Sequence, residues 1–433
     1  VVEVFTTVAY EQNAGNTSNC HMDFSLFYLN SSNQVCWTDD FEFNGASQDF
    51  MDNTAALKAN QMDGVSIQLP ADCQRILAVY FRKDGGMLSD NSASGGTATL
   101  WTYGAYFTAV AKYLKVCPEN KSAAALADTA LEELEWYKCE GKDAYASDNG
   151  KERPVFFDDN AWLVYGLLEM YAARKDEALL DKAEQVQACI YSGWQEDLGG
   201  GLLWREFDKE TTADADYVRN TCINAPAAMC AALLYKYTGE ASHLEWAERI
   251  FAWTRNTLKN ESLGTYYDDI DRAGEIGTAQ FTYNSGCMLS AAALLYDITG
   301  KDEYLAEARE TAAGSRTLFA QEGVGTAAGC EFYSDNPWFR VYLFQGYLDA
   351  YRYCGDEFGE YLESSVAGFD YAVSKQYFDT YGFLYEYWNG AQKPDDDSPS
   401  YSVAGRSAAG NAQCAATFAE YAALKAEKAE KEG

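Results

Sequence analysis

A helical pattern that repeats along the chain is the feature that most constrains its fold. Residues 231–239 read AALLYKYTG, and residues 292–300 read AALLYDITG. Each is followed by a second amphipathic segment, His243–Thr257 or Glu303–Leu318, and looser copies occur elsewhere. Apolar residues at helical spacing around a short Thr-Gly turn are typical of a helical hairpin. The repeat therefore predicts stacked helical hairpins.

The number of hairpins indicates how they are arranged. Five of them, with a final helix around Ala408–Lys428, give about eleven helices. Helical hairpins either stack openly as a solenoid or close into a ring. A closed (α/α)6 toroid fits this number better than an open array. We therefore expect an all-α toroid over residues 96–433, with a functional site on the rim that carries the longer loops.

The first 95 residues have a different pattern. Short alternating or aromatic runs are separated by Asn, Ser, Gly and Asp clusters, which is typical of strands. These runs are Val2–Ala9, Phe24–Leu29, Val35–Phe43, Val65–Leu69 and Arg75–Phe81. We predict a small all-β domain over residues 1–95, in the form of a sandwich, for interaction or glycan binding. The segment Gly85–Gly96 is the expected linker.

The net charge of −33 limits the partners of the chain. Such a surface repels nucleic acids, anionic membranes and polyanionic glycans, whereas a neutral polysaccharide is compatible with it. No stretch approaches the roughly 18 to 20 apolar residues that a membrane span needs. Solubility in a salty or acidic setting explains the charge equally well.

Cysteines and glycosylation sequons favour an extracellular location. The chain has 12 cysteines, and Asn-x-Ser/Thr sequons occur at Asn16, Asn30, Asn120 and Asn260. Together they predict a secreted glycoprotein with several disulfides, and a start at Val1 is compatible with a processed chain. The alternative is that four cysteines in apolar helical segments are buried free thiols; these are Cys189, Cys230, Cys287 and Cys414.

The residue types in the chain favour carboxylate chemistry. His21 and His243 are the only histidines, which argues against a His-based triad and a zinc site, and we expect neither a metal nor a cofactor. Asp158 and Asp159 open a predicted helix within an aromatic segment. The helix N-terminus favours one ionised carboxylate, while the like charge and burial raise the pKa of the other. The competing interpretation is that Asp158 is an N-cap.

Aromatic and glycine residues in the loops add further candidates. Gly199, Gly200 and Gly201 precede Trp204, which favours close approach of the backbone to a ligand. Several aromatic side chains are candidates for stacking on sugar rings, namely Trp162, Trp204, Tyr266, Tyr267, Tyr283, Trp338 and Trp388. Because 15% of the chain is aromatic, most of these residues are expected in the core.

Five motifs in order resemble glycoside hydrolase family 76, the endo-α-1,6-mannanases. Phe157–Trp162 resembles the paired-aspartate signature of that family, and residues 199–204 resemble its Gly-Gly-Gly-x-x-Trp loop. The other three matching segments are Arg219–Asn224, Tyr266–Ile270 and Thr282–Gly286. The resemblance extends from Thr97 to Lys428 and implies the (α/α)6 fold.

The resemblance also implies roles for residues. Asp158 is the implied nucleophile of a retaining mechanism, and Asp159 the implied acid/base. The implied substrate-binding residues are Trp162, Trp204, Asn220, Asn224, Tyr267, Asp268, Tyr283 and Asn284. Three departures from the family motifs leave the choice of substrate open. Ser285 replaces the Gln of the family, Thr221–Ile223 replaces Ala-Ile-Ser, and Asp269 replaces Gly.

Three functions follow from these observations. The first is a retaining endo-glycosidase acting on α-1,6-linkages of extracellular mannan. The second is a transglycosidase acting on cell-wall or anchor glycans, since relatives in the family are thought to transfer glycans. The third is a non-catalytic extracellular structural or glycan-binding protein on the same fold, with self-association through the N-terminal domain.

Overall fold

The structure is a computed structural model. It describes residues 97–148, 155–209, 212–324, 327–374, 384, 386, 388 and 405–432, and four strands within the first 96 residues. These residues form eleven α-helices: α1 (Leu100–Val116), α2 (Lys121–Leu134), α3 (Phe157–Arg174), α4 (Glu177–Tyr191), α5 (Thr221–Thr238), α6 (Ala241–Leu258), α7 (Thr282–Thr299), α8 (Asp302–Phe319), α9 (Pro337–Tyr353), α10 (Gly359–Ser374) and α11 (Gly405–Glu432). An all-α domain is therefore confirmed. In the described part of the chain, no helix combines the length and apolar character needed to cross a membrane.

The Thr-Gly turns end their helices as the repeat predicts. Helix α5 ends at Thr238 and α7 at Thr299, and the next residue in each case is a glycine in the left-handed conformation. Gly239 has a φ of 73° and Gly300 a φ of 68°. Glycine adopts this conformation without a Cβ clash, so it stops the helix and turns the chain into the next one.

The odd-numbered helices lie inside and the even-numbered helices outside. Each odd-numbered helix contacts the next one, and α11 contacts α1, so the contacts form a closed cycle of six helices. Each even-numbered helix packs against the odd-numbered helix before it. Because every hairpin reverses the chain twice, the odd-numbered helices run in the same direction. Their N-termini therefore share one rim, which is called the N-terminal rim below.

Helices α7 and α9 approach each other more closely than side chains allow. A Cβ at Gly286 would lie 2.4 Å from the backbone nitrogen of Leu343, and one at Gly346 would lie 2.5 Å from the carbonyl oxygen of Gly286. Real Cβ atoms do not come this close to backbone atoms, because dense packing leaves no room for the overlap. The two glycines therefore allow this inner contact.

A buried network of charges joins α1, α3, α9 and α11. Lys115 Nζ lies 2.7 Å from Glu169 Oε2 and 2.9 Å from Glu420 Oε2. Arg352 Nη2 lies 3.2 Å from the same Glu420 oxygen. Burial alone would raise the pKa of Glu420, but Lys115, Lys112 and Arg352 outweigh it and lower this pKa to about 2. The network therefore links the last inner helix to the first.

Strands occur in one sheet near the N-terminus and in short ribbons between helices. The sheet has the order β3-β2-β1-β4, with β2 antiparallel and β4 parallel to β1. The strands are β1 (Val4–Gln12), β2 (Asn19–Leu29), β3 (Val35–Ala46), β4 (Leu77–Lys83), β5 (Arg219–Asn220), β6 (Lys259–Asn260), β7 (Thr265–Tyr266), β8 (Asp269–Ile270), β9 (Ile276–Gly277), β10 (Ala320–Glu322) and β11 (Glu331–Tyr333). The predicted strand Val65–Leu69 and the linker Gly85–Gly96 lie outside the described residues. A separate domain over residues 1–95 stays a prediction.

Nine cysteines from Cys117 to Cys414 are free thiols in this structure. The alternative of buried free thiols is therefore right for Cys230, Cys287 and Cys414, whereas Cys189 is free but half-buried. The predicted disulfides are not found among these nine. Six of them are buried, and four of these six lie on α5, α7 and α11. Because burial raises the pKa of the Cys230 and Cys287 thiols, these side chains stay protonated and pack as small apolar groups.

Two of the four sequons are not on the surface. Asn120 and Asn260 are buried. The Asn120 Oδ1 accepts a hydrogen bond from Ala123 N at 2.9 Å, and the Asn260 Oδ1 accepts one from Ser262 N at 3.1 Å. A glycan needs an exposed side-chain amide, so the burial of these two residues argues against glycosylation there. Asn16 and Asn30 lie outside the described residues.

Candidate active site

Aromatic side chains from the inner helices meet at the N-terminal rim. Trp338 at the start of α9 contacts Trp101 of α1 and Trp162 of α3, each with ring centroids 5.2 Å apart. Trp162 also lies 6.0 Å from Tyr283 of α7. The Arg406 guanidinium, from the first turn of α11, lies 3.8 Å from the centroid of the Trp101 ring. The rim is thus closely packed around the start of α3.

Asp158 and Asp159 lie in the first turn of α3, and both are half-buried. The N-cap is Phe156, which makes no side-chain capping bond. Asp158 is therefore not an N-cap, contrary to the competing interpretation. Its Oδ1 atom is buried and has no hydrogen-bond partner within the described residues. A buried acceptor without a partner is unusual in a folded protein, and active sites are one place where it occurs.

The environment of Asp158 raises its pKa to about 6. Burial is the main cause, because it disfavours the charged form. The Trp204 indole and the Cys222 thiol act in the opposite direction by favouring the carboxylate. The Cys222 Sγ lies 3.8 Å from Asp158 Oδ2. At neutral pH, Asp158 is therefore mainly ionised.

Asp159 has a pKa well above its ordinary value. Burial is again the main cause, and the charge of the adjacent Asp158 adds to it. Ser147 and Arg406 act in the opposite direction, and the Ser147 hydroxyl donates a hydrogen bond to Asp159 Oδ2 at 3.1 Å. The pair therefore titrates in two steps, and the proton is held mainly on Asp159 after Asp158 has ionised. This is the division into a charged and a protonated acid that the sequence suggests.

Two buried asparagines hold loops against the inner helices in the same way. Asn160 Nδ2 donates hydrogen bonds to Tyr145 O at 2.9 Å and Phe156 O at 2.8 Å, while its Oδ1 accepts one from Tyr145 N. Asn224 forms the matching set with both backbone groups of Leu202 and with the Asn220 carbonyl. Asn160 thereby fixes the loop that carries Ser147. The predicted substrate contact of Asn224 stays a prediction.

Two of the three glycines at 199–201 make room for tryptophan rings. Gly199, Gly200 and Gly201 have φ values of 76°, 128° and 100°, which favour glycine. A Cβ at Gly200 would lie 2.4 Å from the Trp194 ring, and one at Gly201 would lie 2.6 Å from the Trp253 ring. The close approach is thus to protein side chains. The loop leads to Trp204, whose carbonyl accepts a hydrogen bond from Phe157 N at 2.9 Å.

Two predicted substrate-binding asparagines have buried acceptors without partners. Asn220 Oδ1 and Asn284 Oδ1 make no hydrogen bond to the described residues. Asn284 Nδ2 donates to Asp268 Oδ1 at 3.0 Å, and Asp268 also acts electrostatically on Cys222. These contacts bring the segments before α5 and α7 towards Asp158. The carbonyl oxygens of the two amides are suited to accept hydrogen bonds from sugar hydroxyls.

Other predicted sugar contacts differ in exposure. Trp162 is 2% exposed, and its ring packs 4.5 Å from the Tyr342 ring, so in this structure it supports the pair from the core. Trp338, Trp388 and Tyr266 are buried too, as the high aromatic content suggests. Tyr283 is mostly buried. Trp204 and Tyr267 are half-buried and remain candidates for stacking on sugars.

Sequence reasoning missed three residues that act on the aspartates. Ser147 contacts Asp159, Cys222 contacts Asp158, and the charge of Arg406 lowers the pKa of Asp159. Cys222 lies within a motif that departs from the family pattern, and this departure could have marked it as a residue of the site. Ser147 and Arg406 lie outside the five motifs and carried no local signal.

One cluster within the described residues could hold a metal ion. Ligand atoms of Glu184, Glu240 and His243 lie within 4.8 Å of one another. His243 is buried, and its Nε2 lies 3.0 Å from Glu184 Oε1. The cluster joins α4 to the start of α6, which follows the C-terminal end of α5. It is therefore at the opposite rim from Asp158, and a hydrogen bond between His243 and Glu184 explains their contact.

The helical fold and the half-buried pair of acids define an all-α glycoside hydrolase. Residues 72–400 match the model of glycosyl hydrolase family 76. The match covers more than half of the chain, so this protein belongs to that family. It begins before Thr97, within the segment that the sequence assigns to the N-terminal domain.

Several relatives share this fold or part of the sequence. The mannan endo-1,6-alpha-mannosidase DCW1 of Saccharomyces cerevisiae is 30% identical over 188 residues, and the alignment spans 40% of this chain and 40% of that protein. A family 76 mannosidase from Bacteroides thetaiotaomicron has a TM-score of 0.70 at 21% identity, covering 88% of this chain and 100% of that chain. An inactive variant of an α-1,6-mannanase from Salegentibacter sp., in complex with α-1,6-mannotetrose, has a TM-score of 0.62 at 21% identity, covering 86% and 98%.

Proposed function

We propose that this chain is a retaining, endo-acting glycosidase that cleaves α-1,6-mannosidic linkages in mannan. The observation that carries the proposal is the half-buried Asp158–Asp159 pair with its divided pKa values. The names of the yeast and bacterial relatives give the substrate class. A neutral mannan also fits a chain with a net charge of −33, which would repel an anionic glycan.

The proposed mechanism gives each acid one role. The Asp158 carboxylate attacks the anomeric carbon and forms a glycosyl ester, while Asp159 transfers its proton to the leaving glycosidic oxygen. Asp159, now ionised, then takes a proton from water as that water attacks the ester and frees Asp158. The like charge of Asp158 keeps Asp159 protonated before the first step. Formation of the neutral ester removes that charge and lowers the pKa of Asp159. Asp159 therefore stays ionised and can act as the base in the second step.

A closed (α/α)6 toroid is the architecture that we propose around this site. The cycle of contacts between the six odd-numbered helices supports it, and so does the placement of the even-numbered helices outside them. In such a ring the site lies where the six inner N-termini converge. The positive ends of the helix dipoles then favour the charged form of Asp158.

An extracellular location is also part of the proposal. A polysaccharide such as mannan is found outside the cell, and this supports secretion more than the sequence features do. The nine free cysteines and the burial of Asn120 and Asn260 remove much of the earlier support. Detection of the chain in the culture medium or the cell wall would test the location.

The experiment is hydrolysis of α-1,6-mannan by the purified chain, followed by chromatography of the products. We expect manno-oligosaccharides from the wild type and none from Asp158→Asn, with unchanged circular dichroism. Asp181→Asn, an exposed position on α4, is the matched control and should retain activity. Equal inertness of wild type and Asp158→Asn on α-mannans would overturn hydrolysis. Elongated products in the presence of an acceptor glycan would instead establish transfer.

A further inference from the structure

We propose that Cys222 is a positioning residue for Asp158, and that its thiol holds one carboxylate oxygen by a hydrogen bond in the orientation for attack. This inference rests on the role of Asp158 proposed above. The sulfur lies 3.8 Å from Asp158 Oδ2, within the range of hydrogen bonds that involve sulfur. The thiol approaches from α5, whereas the carboxylate belongs to α3. The contact therefore couples two inner helices at the centre of the site.

The backbone around Cys222 is fixed on both sides. Thr221 N donates a hydrogen bond to Asp268 O at 2.7 Å, and the Thr221 hydroxyl donates one to Tyr267 O at 2.6 Å. Two residues after Cys222, Asn224 is bonded to both backbone groups of Leu202. The sulfur atom therefore belongs to the first turn of α5, whose backbone is held in place. A rigid donor can orient a carboxylate, because it restricts the side-chain torsions of the acceptor.

Toward an ionised carboxylate, which can only accept, a protonated thiol can act only as a donor. Burial is the main reason why the pKa of Cys222 is raised well above its ordinary value, and the charges of Asp158, Asp268 and Asp159 raise it further. The thiol therefore stays protonated at neutral pH. It is neither a nucleophile nor a metal ligand there. Its proton is available to the carboxylate.

Besides Cys222, the Trp204 indole and the backbone of Asp159 and Asp158 favour the charged form of Asp158, and the indole has the largest effect of these. Its Oδ1 is without a partner in the described residues, so contacts to Oδ2 set the position of the carboxylate. Titratable or charged groups that act on Asp158, directly or through Asp159 or Cys222, come from several segments: Asp159 from α3, Cys222 from α5, Tyr283 from α7, Asp268 from the segment before β8 and Arg406 from α11. Among the side chains of these residues, that of Cys222 donates a hydrogen bond to Asp158.

The test compares Cys222→Ala, Cys222→Ile and Cys222→Ser in the full chain. Isoleucine is the residue of the family motif at this position, so it restores volume without a donor. Removal of the donor should raise the midpoint of Asp158 ionisation, measured by carbon-13 NMR of its carboxyl group, by about 0.3 to 1 pH unit in the Ala and Ile variants. The acid limb of the kcat/KM profile should move to higher pH by the same amount. The kcat should fall about 3- to 30-fold, with KM little changed. The Ser variant should restore both values.

The matched control is Cys230→Ala in the same helix. Its thiol is also buried but donates to the Ala161 carbonyl at 3.7 Å, so its removal should leave the Asp158 midpoint unchanged. An unchanged midpoint in both Cys222→Ala and Cys222→Ile would overturn the inference, even if activity falls. If Cys222→Ala does not fold, the Ile and Ser variants decide the question by the same comparison. A wild type that is inactive on mannan overturns the proposed function, while the titration still decides whether the thiol holds Asp158.

Discussion

The Ser147 hydroxyl donates a hydrogen bond to Asp159 Oδ2 at 3.1 Å, and this contact lowers the pKa of the proposed proton donor. Its loss should let the pKa of Asp159 rise further. Since Asp159 must be protonated to assist departure, we expect Ser147→Ala to move the basic limb of kcat/KM to higher pH, by about half a unit to one unit. A pH profile on α-1,6-mannan measures this. Ser364→Ala on the outer helix α10 is the control, and a basic limb that stays in place or moves down would contradict the assignment.

Asp158→Asn should stabilise the fold at neutral pH although it removes activity. The pKa of Asp158 is about 6 in the folded chain, against about 3.9 in the unfolded chain, so ionisation disfavours folding. A group with a raised pKa destabilises the folded state as pH rises from about 4 through 6. We expect about 1 to 3 kcal/mol of added stability at pH 7.5 and none at pH 3.5, by urea unfolding. A gain that persists at pH 3.5 would point to a cause other than charge.

Glu420→Gln should destabilise the fold strongly, because it removes the carboxylate of the buried network. Lys115 and Arg352 would lose a buried partner, at a cost of about 3 to 5 kcal/mol at pH 7. The pKa of Glu420 is lowered to about 2, so its contribution is complete above its unfolded pKa and is lost as pH falls towards 2. Urea unfolding at pH 7 and pH 3 measures the difference. Glu430→Gln, exposed on the same helix, should change little, and equal effects of both variants would contradict the prediction.

Gly286→Ala and Gly104→Ala should have opposite effects. Alanine at Gly286 would overlap the backbone of α9, so we expect a loss of more than about 3 kcal/mol or failure to fold. At Gly104, in α1, no atom lies within 4 Å of an added Cβ, and alanine should add about 1 kcal/mol through helix propensity. Thermal unfolding of both variants is the measurement. A tolerated Gly286→Ala would mean that α7 and α9 are further apart than described.

Local patterns were sufficient to predict the helices and the acid pair. The AALLY segments lie in helices that are buried on nearly all sides and end at a Thr-Gly turn, so the helical hairpins could be identified directly from the repeat. The tandem acids at the start of an aromatic segment also marked the first turn of α3. Both features depend on residues that are close together in the sequence, so a single sequence is enough to identify them.

Features that depend on distant residues could not be predicted in the same way. The charge of Arg406 on α11 acts on Asp159 on α3, and nothing near either residue in the sequence indicates this. Asn120 and Asn260 match a sequon, but both are buried and form hydrogen bonds within the fold. Trp162 was expected on a sugar-binding surface, yet packing against Trp338 and Tyr342 places it in the core.

The division of roles between Asp158 and Asp159 is tested most directly by a substrate with a good leaving group. A dinitrophenyl glycoside of α-1,6-mannobiose needs little protonation to depart but still needs the nucleophile. We predict that Asp159→Ala releases dinitrophenol in a rapid burst and then slows, while Asp158→Ala releases none. Equal release by both variants, or release by Asp158→Ala alone, would contradict the account.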